Sequence, residues 1–292
     1  MVKSLFEPSG ERNEGIVNRI RSAALESIPP ELRYFLRRKF RSATTFDDSF
    51  GDWGRAEKAA IGYDSEMIVQ RVLSGITAVR DGSAAYERDS VTFPHPEYSW
   101  PVLAGLMWAA AADSGVLRVL DFGGSLGSSF FQYRRFLKTL TELSWSVVEQ
   151  ETFVKIGRDR VVEPGLAFHD SIPDVLAYVQ PNLVHFGSSL QYLKNPSEVL
   201  EAAARTGATY LLLDRIPVSD LDHDLVTVQM IPPSVYPASY AAWVFSMEGL
   251  KRMLDKEWDV VSEFESLGEQ TLTTSGVSVS WRGILCSRKR AE

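Results

Sequence analysis

A chain of 292 residues, 45 % apolar and 24 % charged, is long enough for one large domain with a sizeable core. Its formal net charge of −7 argues against a broad nucleic-acid surface, and its one cysteine, Cys286, excludes an intrachain disulfide. With no apolar secretory run at its start and no stretch of roughly 20 apolar residues, it is expected to be cytoplasmic, with no stable membrane insertion.

In chain order, the first 114 residues read as helices joined by turn-rich segments. The runs "GIVNRIRSAALES" (15–27), "ELRYFLRRKFR" (31–41), "SEMIVQRVLSGITAVR" (65–80) and "PVLAGLMWAAAAD" (101–113) each repeat apolar residues three or four apart. Pro29 and Pro30 separate the first two. Five of the nine residues in "RYFLRRKFR" are basic. That suits a solvated helix face, or else an anionic nucleotide-sugar, lipid-linked glycan or membrane surface. Residues 1–114 are expected to form a helical N-terminal cap. Its segment "FGDWGRAEKAAIGYD", around Trp53 and Tyr63, is expected to border the site or to anchor the two halves.

From Gly115 the pattern changes to short apolar runs alternating with helices. Strands are expected at 117–122, 144–150, 166–170, 182–189 and 209–216, and helices at 128–140, 151–162, 172–180 and 196–206. Asn195, Pro196 and Glu198 supply start chemistry for the last helix. Strands alternating with helices imply a parallel sheet. The runs 259–267 and 276–288, with no helix between them, read as an antiparallel pair closing one edge. The domain from 115 to 292 is thus an α/β, Rossmann-like, seven-stranded and mostly parallel sheet with an antiparallel last strand.

The turn "LDFGGSLGSS" after the first strand of this sheet carries Asp121, Gly123, Gly124 and Gly127. Glycine there lets a ligand approach the backbone, and ligands of such sheets lie beyond the strands' carboxyl ends. No lysine follows, which excludes a Walker loop, and the glycine spacing fails the dinucleotide fingerprint at two of three places. A carboxylate just before the glycines repels a pyrophosphate and suits a ligand with a cationic end, such as S-adenosylmethionine. The second strand ends in Glu149 and Gln150, where an acid can accept bonds from ribose hydroxyls. The third ends in Asp170 and Ser171, facing an adenine, and the fourth in "GSSLQYL", with Ser188 on the cofactor side and Gln191 on the acceptor side.

These segments together resemble the class I S-adenosylmethionine-dependent methyltransferases. More narrowly, "VLDFGGSLGSSFFQYR", "WSVVEQ", "SSLQYL", "LLLDRIP" and "YPASY" resemble a methyltransferase family from bacterial surface-polysaccharide gene clusters. The upstream "GDWGRAEKAAIGYD" belongs to the same likeness. Ser125 stands where the general motif has its middle glycine, which suits the narrower family. The resemblance implies an S-adenosylmethionine-dependent methyltransferase of polysaccharide biosynthesis, and the hydroxyl-bearing aromatic and amide residues of the segment 214–246 suit a sugar or other small polar acceptor. O-methylation is the first expectation; N-methylation of an amino sugar and a non-catalytic binding module are the alternatives.

The segment 214–246 is expected to be a long loop on the ligand face, with Arg215, Gln229, Tyr236 and Tyr240 touching the acceptor. A hydroxyl acceptor needs its proton removed. His223, between Asp222 and Asp224, is the first candidate base and Asp214 the second. His185 reads as a core residue. No metal is expected, because the fourth strand ends in Gly187, Ser188 and Ser189 without an acid.

Overall fold

The computed structural model describes residues 44–61, 65–88, 90–231 and 238–289. The helices expected at 15–27 and 31–41, the basic run, Tyr63 and Tyr236 lie outside the described residues.

The described chain opens with β1 (Thr45–Asp47), α1 (Trp53–Ala59) and α2 (Ser65–Asp81). A hairpin of β2 (Tyr86–Arg88) and β3 (Val91–Phe93) follows, then α3 (Trp100–Ala112). The alternating half comprises β4 (Val116–Phe122), α4 (Ser128–Leu137), β5 (Glu142–Val148), α5 (Glu151–Arg160), β6 (Leu166–His169), α6 (Ile172–Leu176) and β7 (Leu183–Gly187). A 3-10 turn (Leu190–Tyr192), α7 (Pro196–Arg205), β8 (Tyr210–Ser219), β9 (Leu225–Met230), β10 (Ser239–Ser246), α8 (Met247–Leu254), β11 (Trp258–Leu272) and β12 (Ser278–Arg288) complete it.

The parallel order is β6–β5–β4–β7–β8, and β12 pairs antiparallel with both β8 and β11. The seven expected strands are present, and β12 alone runs against the rest. The chain leaves β4 toward β5 and β6, then returns past β4 to β7. Strand order therefore reverses between β4 and β7, where a doubly wound sheet opens its ligand crevice.

The buried residues divide by strand alternation. Leu117 and Val119 of β4, Trp145 and Val147 of β5, Leu183 of β7 and Leu212 of β8 pack against α2, α3, α4 and α5. Leu120, Val184, Phe186, Leu211 and Leu213 pack against α6, α7 and α8. Within the expected cap, residues from Ile68 to Ala110 share the first of these cores with the sheet itself. Asn195 does not cap α7; its side-chain amide donates to Glu198 Oε1 at 3.2 Å. Cys286 lies in the second core, and burial pushes its thiol up to about 12. It is expected to react with a thiol-directed reagent at least ~100-fold more slowly in native protein than in denaturant, measured as modification rate at pH 8.

The expectation of a long loop over 214–246 does not hold. β8 runs on to Ser219, and β10 pairs parallel with its tip at Val218 and Ser219. β9 pairs antiparallel with β10, and β1 with β9, making a ten-stranded sheet. The reason is period-two alternation. Val226, Val228, Ala241 and Trp243 face α1, where Trp53 stacks on Trp243 at 5.4 Å between centroids. Trp53 is thus a packing anchor between α1 and this β wall. Trp243 Nε1 donates to Leu193 O at 3.0 Å, tying the wall to the segment after β7.

Candidate functional site

The glycine turn after β4 is shaped first by the chain's own packing. Gly123 has φ +71°, and a Cβ there would lie 2.4 Å from the Ser189 Cβ. A Cβ on Gly124 would lie 2.4 Å from Asp121 Oδ2. Gly127 (φ +86°) opens α4 against Leu166. Glycine is required at 123 and 124 because two strand-end segments close over each other at the switch.

Asp121 is not presented to the crevice, contrary to expectation. It is fully buried beneath the turn. Trp145 Nε1 donates to its Oδ2 at 2.9 Å, and His185 Nδ1 lies 3.0 Å from its Oδ1. Alternation explains this: position 121 shares the face of Leu117 and Val119, which the helices cover. The acid holds the floor of the turn.

Glu149, at the end of β5, accepts from Ser125 N–H at 3.2 Å and Gln150 N–H at 2.7 Å. Burial raises its carboxyl above the usual range, opposed by those two bonds and reinforced by nearby Asp121. Gln150 is exposed at the start of α5. Asp170 pairs with Arg158 at 3.1 Å, and Ser171 caps α6 by accepting from Asp174 N–H at 3.3 Å. Ser188 N–H donates to Asp214 O at 2.8 Å, while Gln191 Nε2 donates to Ser188 Oγ at 2.9 Å. Glu149→Ala is expected to weaken S-adenosylhomocysteine binding by about 1–3 kcal/mol, the scale of a hydrogen bond to a charged group, measured by calorimetry.

Beside this lies a buried polar band. Asp214 follows Tyr210 and Leu212 in alternation, so it faces the same side of the sheet as Asp121 and His185. Arg215 Nε sits 3.3 Å from Asp214 Oδ2, and Arg215 Nη2 donates to Gly187 O at 3.1 Å. Gln229 and Tyr240 are register partners on the face of the β wall opposite α1. Tyr240 meets Tyr192, next to Gln191, at 5.6 Å between centroids. Four described acceptor-side candidates and Asp214 therefore lie on adjoining elements. Ser125 (φ 55°), Ser188 (φ 69°) and Arg215 (φ 56°) all hold left-handed backbone at the ends of β4 and β7 and at the kink in β8. Strain of this kind concentrates where function constrains a chain.

His223 is not among them. β8 continues from Asp214 to Ser219, about 16 Å at the strand rise, and His223 lies in the turn beyond. Its ring is 63 % exposed, and its Nδ1 is 2.7 Å from Asp222 Oδ1. The long β8 carries it away from the strand ends that hold Asp214. His223→Gln is accordingly expected to keep turnover within about twofold, because an exposed surface substitution moves little.

Two residues at the site escaped the sequence reading. Burial, then the Asp214 carboxylate, push the Tyr133 phenol well above its usual range, against Arg215. Tyr133, on α4, is 2 % exposed in the core on that face of the sheet. Its sequence pattern showed only an apolar helix face. Glu87, on the β2–β3 hairpin and 3 % exposed, accepts from Ser128 Oγ and from Ser90 N–H, the latter at 2.6 Å. This sets a carboxylate at the N-terminus of α4, where the helix dipole favours it.

No family profile matches the chain, and no curated protein matches it. Several solved structures are similar. The N-terminal domain of EvdMO1, crystallised with SAH and D-fucose, is 15 % identical; the match covers 78 % of this chain and 98 % of that one, with a TM-score of 0.43. The [4+2]-cyclase SpnF is 13 % identical, with coverage of 78 % and 95 % and a TM-score of 0.46. A SAM-dependent methyltransferase from Methanosarcina mazei is 12 % identical, with coverage of 68 % and 100 % and a TM-score of 0.45. Among the described residues, no helix is long and apolar enough to cross a membrane.

Proposed function

We propose that this chain is an S-adenosylmethionine-dependent methyltransferase that methylates a hydroxyl of a sugar or related small polar acceptor. The bacterial, cytoplasmic setting of surface-polysaccharide assembly implied by the sequence resemblance belongs to the same reading. The observation that carries it is Glu149, a half-buried carboxylate bonded to the glycine turn at the reversal of strand order. A carboxylate there suits two ribose hydroxyls and opposes a phosphate.

S-adenosylmethionine supplies a methyl group on a cationic sulfur. Gly123, Gly124 and Ser125 border its place, Glu149 and Gln150 take the ribose, Asp170 and Ser171 take the adenine edge, and Ser188 closes the side toward the acceptor. Gln191, Arg215, Gln229 and Tyr240 orient the acceptor, a positioning that itself lowers the barrier. Asp214 Oδ1 receives the hydroxyl proton as the oxygen–methyl bond forms and the sulfur–methyl bond breaks. Calorimetry with S-adenosylhomocysteine tests the cofactor half. Saturable binding to the folded chain is expected, and no detectable binding of it or of S-adenosylmethionine overturns the reading.

A further inference from the structure

The buried polar band holds several acceptors that meet no donor. Among the described residues, Asp214 Oδ1, Gln191 Oε1 and Gln229 Oε1 are buried with no hydrogen-bond partner, as is His185 Nε2. These residues are between 1 % and 7 % exposed. The Gln191 amide cannot be turned to relieve its oxygen, because its Nε2 already donates to Ser188 O and Ser188 Oγ at 3.1 and 2.9 Å. The three oxygens can only accept.

A buried acceptor without a donor costs its full desolvation, so three together are not a neutral feature of a core. They lie on adjoining elements, and Asp214 and Gln229 share one face of the sheet. Among the described residues, the cation of this band, Arg215, is engaged by Asp214 Oδ2 and Gly187 O.

We propose that this band favours a ligand rich in hydrogen-bond donors. It takes a neutral or cationic ring bearing hydroxyl or amino groups and rejects an anionic ring of the same size. The inference rests on the methyltransferase reading only for what fills the neighbouring half of the crevice.

The test is saturation-transfer NMR on the full chain with S-adenosylhomocysteine, using methyl glucopyranoside, glucosamine and glucuronate at equal millimolar concentration. The first two are expected to give signal, and glucuronate at least tenfold less. Gln229→Met and Gln191→Met are expected to cut the neutral signal at least fivefold; Gln229→Met does so with S-adenosylhomocysteine affinity and the thermal midpoint unchanged, whereas Gln191→Met also loses its bonds to Ser188 and lowers the midpoint. If Gln191→Met does not fold, Gln229→Met decides alone. Three results overturn the proposal: glucuronate binding as well as the others, neutral signal unmoved by the substitutions, or no signal from either donor-bearing probe. If S-adenosylhomocysteine itself does not bind, the methyltransferase reading fails, and the same probes without it judge the donor preference by the same criteria.

Discussion

Asp121→Ala is expected to destabilise the fold by about 3–5 kcal/mol, the cost of removing one partner from a buried charged cluster. Trp145 Nε1 and His185 Nδ1 both lose their acceptor in a fully enclosed place. No water replaces the carboxylate without a path to it, so the loss is not softened as it would be at a surface. Asp121→Asn keeps the volume and one acceptor, and is expected to lose about 1–3 kcal/mol. Urea unfolding measures both. The pair of variants also separates support from direct contact. If Asp121 acts as the floor of the turn, Asp121→Asn retains S-adenosylhomocysteine affinity wherever it is folded. A variant of native stability that has lost the ligand would instead place the carboxylate in contact with it.

The second large effect is expected at Asp214. Asp214→Asn should lower turnover by about 10²–10⁴, the usual worth of a general base, with S-adenosylhomocysteine affinity unchanged. The asparagine keeps the shape beside Arg215 but has no basic oxygen to take the acceptor proton. Initial rates, read as S-adenosylhomocysteine formed from a donor-bearing acceptor, provide the measurement. Equal rates in Asp214→Asn and the unmodified chain would show that no carboxylate base is needed, as for transfer to a neutral amine. His223→Gln is the matched comparison, and its expected near-native rate follows from its exposed turn beyond Ser219.

Much of this site was legible in residue order. Short apolar runs ending in polar residues located β4, β5, β6, β7 and β8, because a parallel strand buried on both faces is continuously apolar until it reaches the ligand edge. The glycine cluster and Glu149 marked where that edge begins. The β9–β10 wall was harder to see. Its alternation is moderate, and Pro232, Pro233 and Pro237 between the two strands read as loop chemistry. The wall forms because α1 supplies Trp53 and Ala56 to cover one of its faces. That partner stands more than 160 residues earlier in the chain, and no local pattern announces it.

The order of residues by itself determined the α/β alternation, the antiparallel final pair and the position of the crevice, since these follow from hydrophobic periodicity and turn chemistry within short windows. Tertiary structure decided what each acid meets. Asp121 and Asp214 both follow an apolar run and face the same side of the sheet, yet one has both oxygens bonded under the turn while the other keeps an oxygen without a donor. The difference lies in what neighbouring strands bring alongside: Trp145 and His185 flank the first, whereas Arg215 reaches only one oxygen of the second. It likewise decided that His223 stands apart, because the length of β8 past its kink depends on pairing with β10 and β12. Residue type states what chemistry a side chain can do, and the long-range pairing of strands decides where it does it.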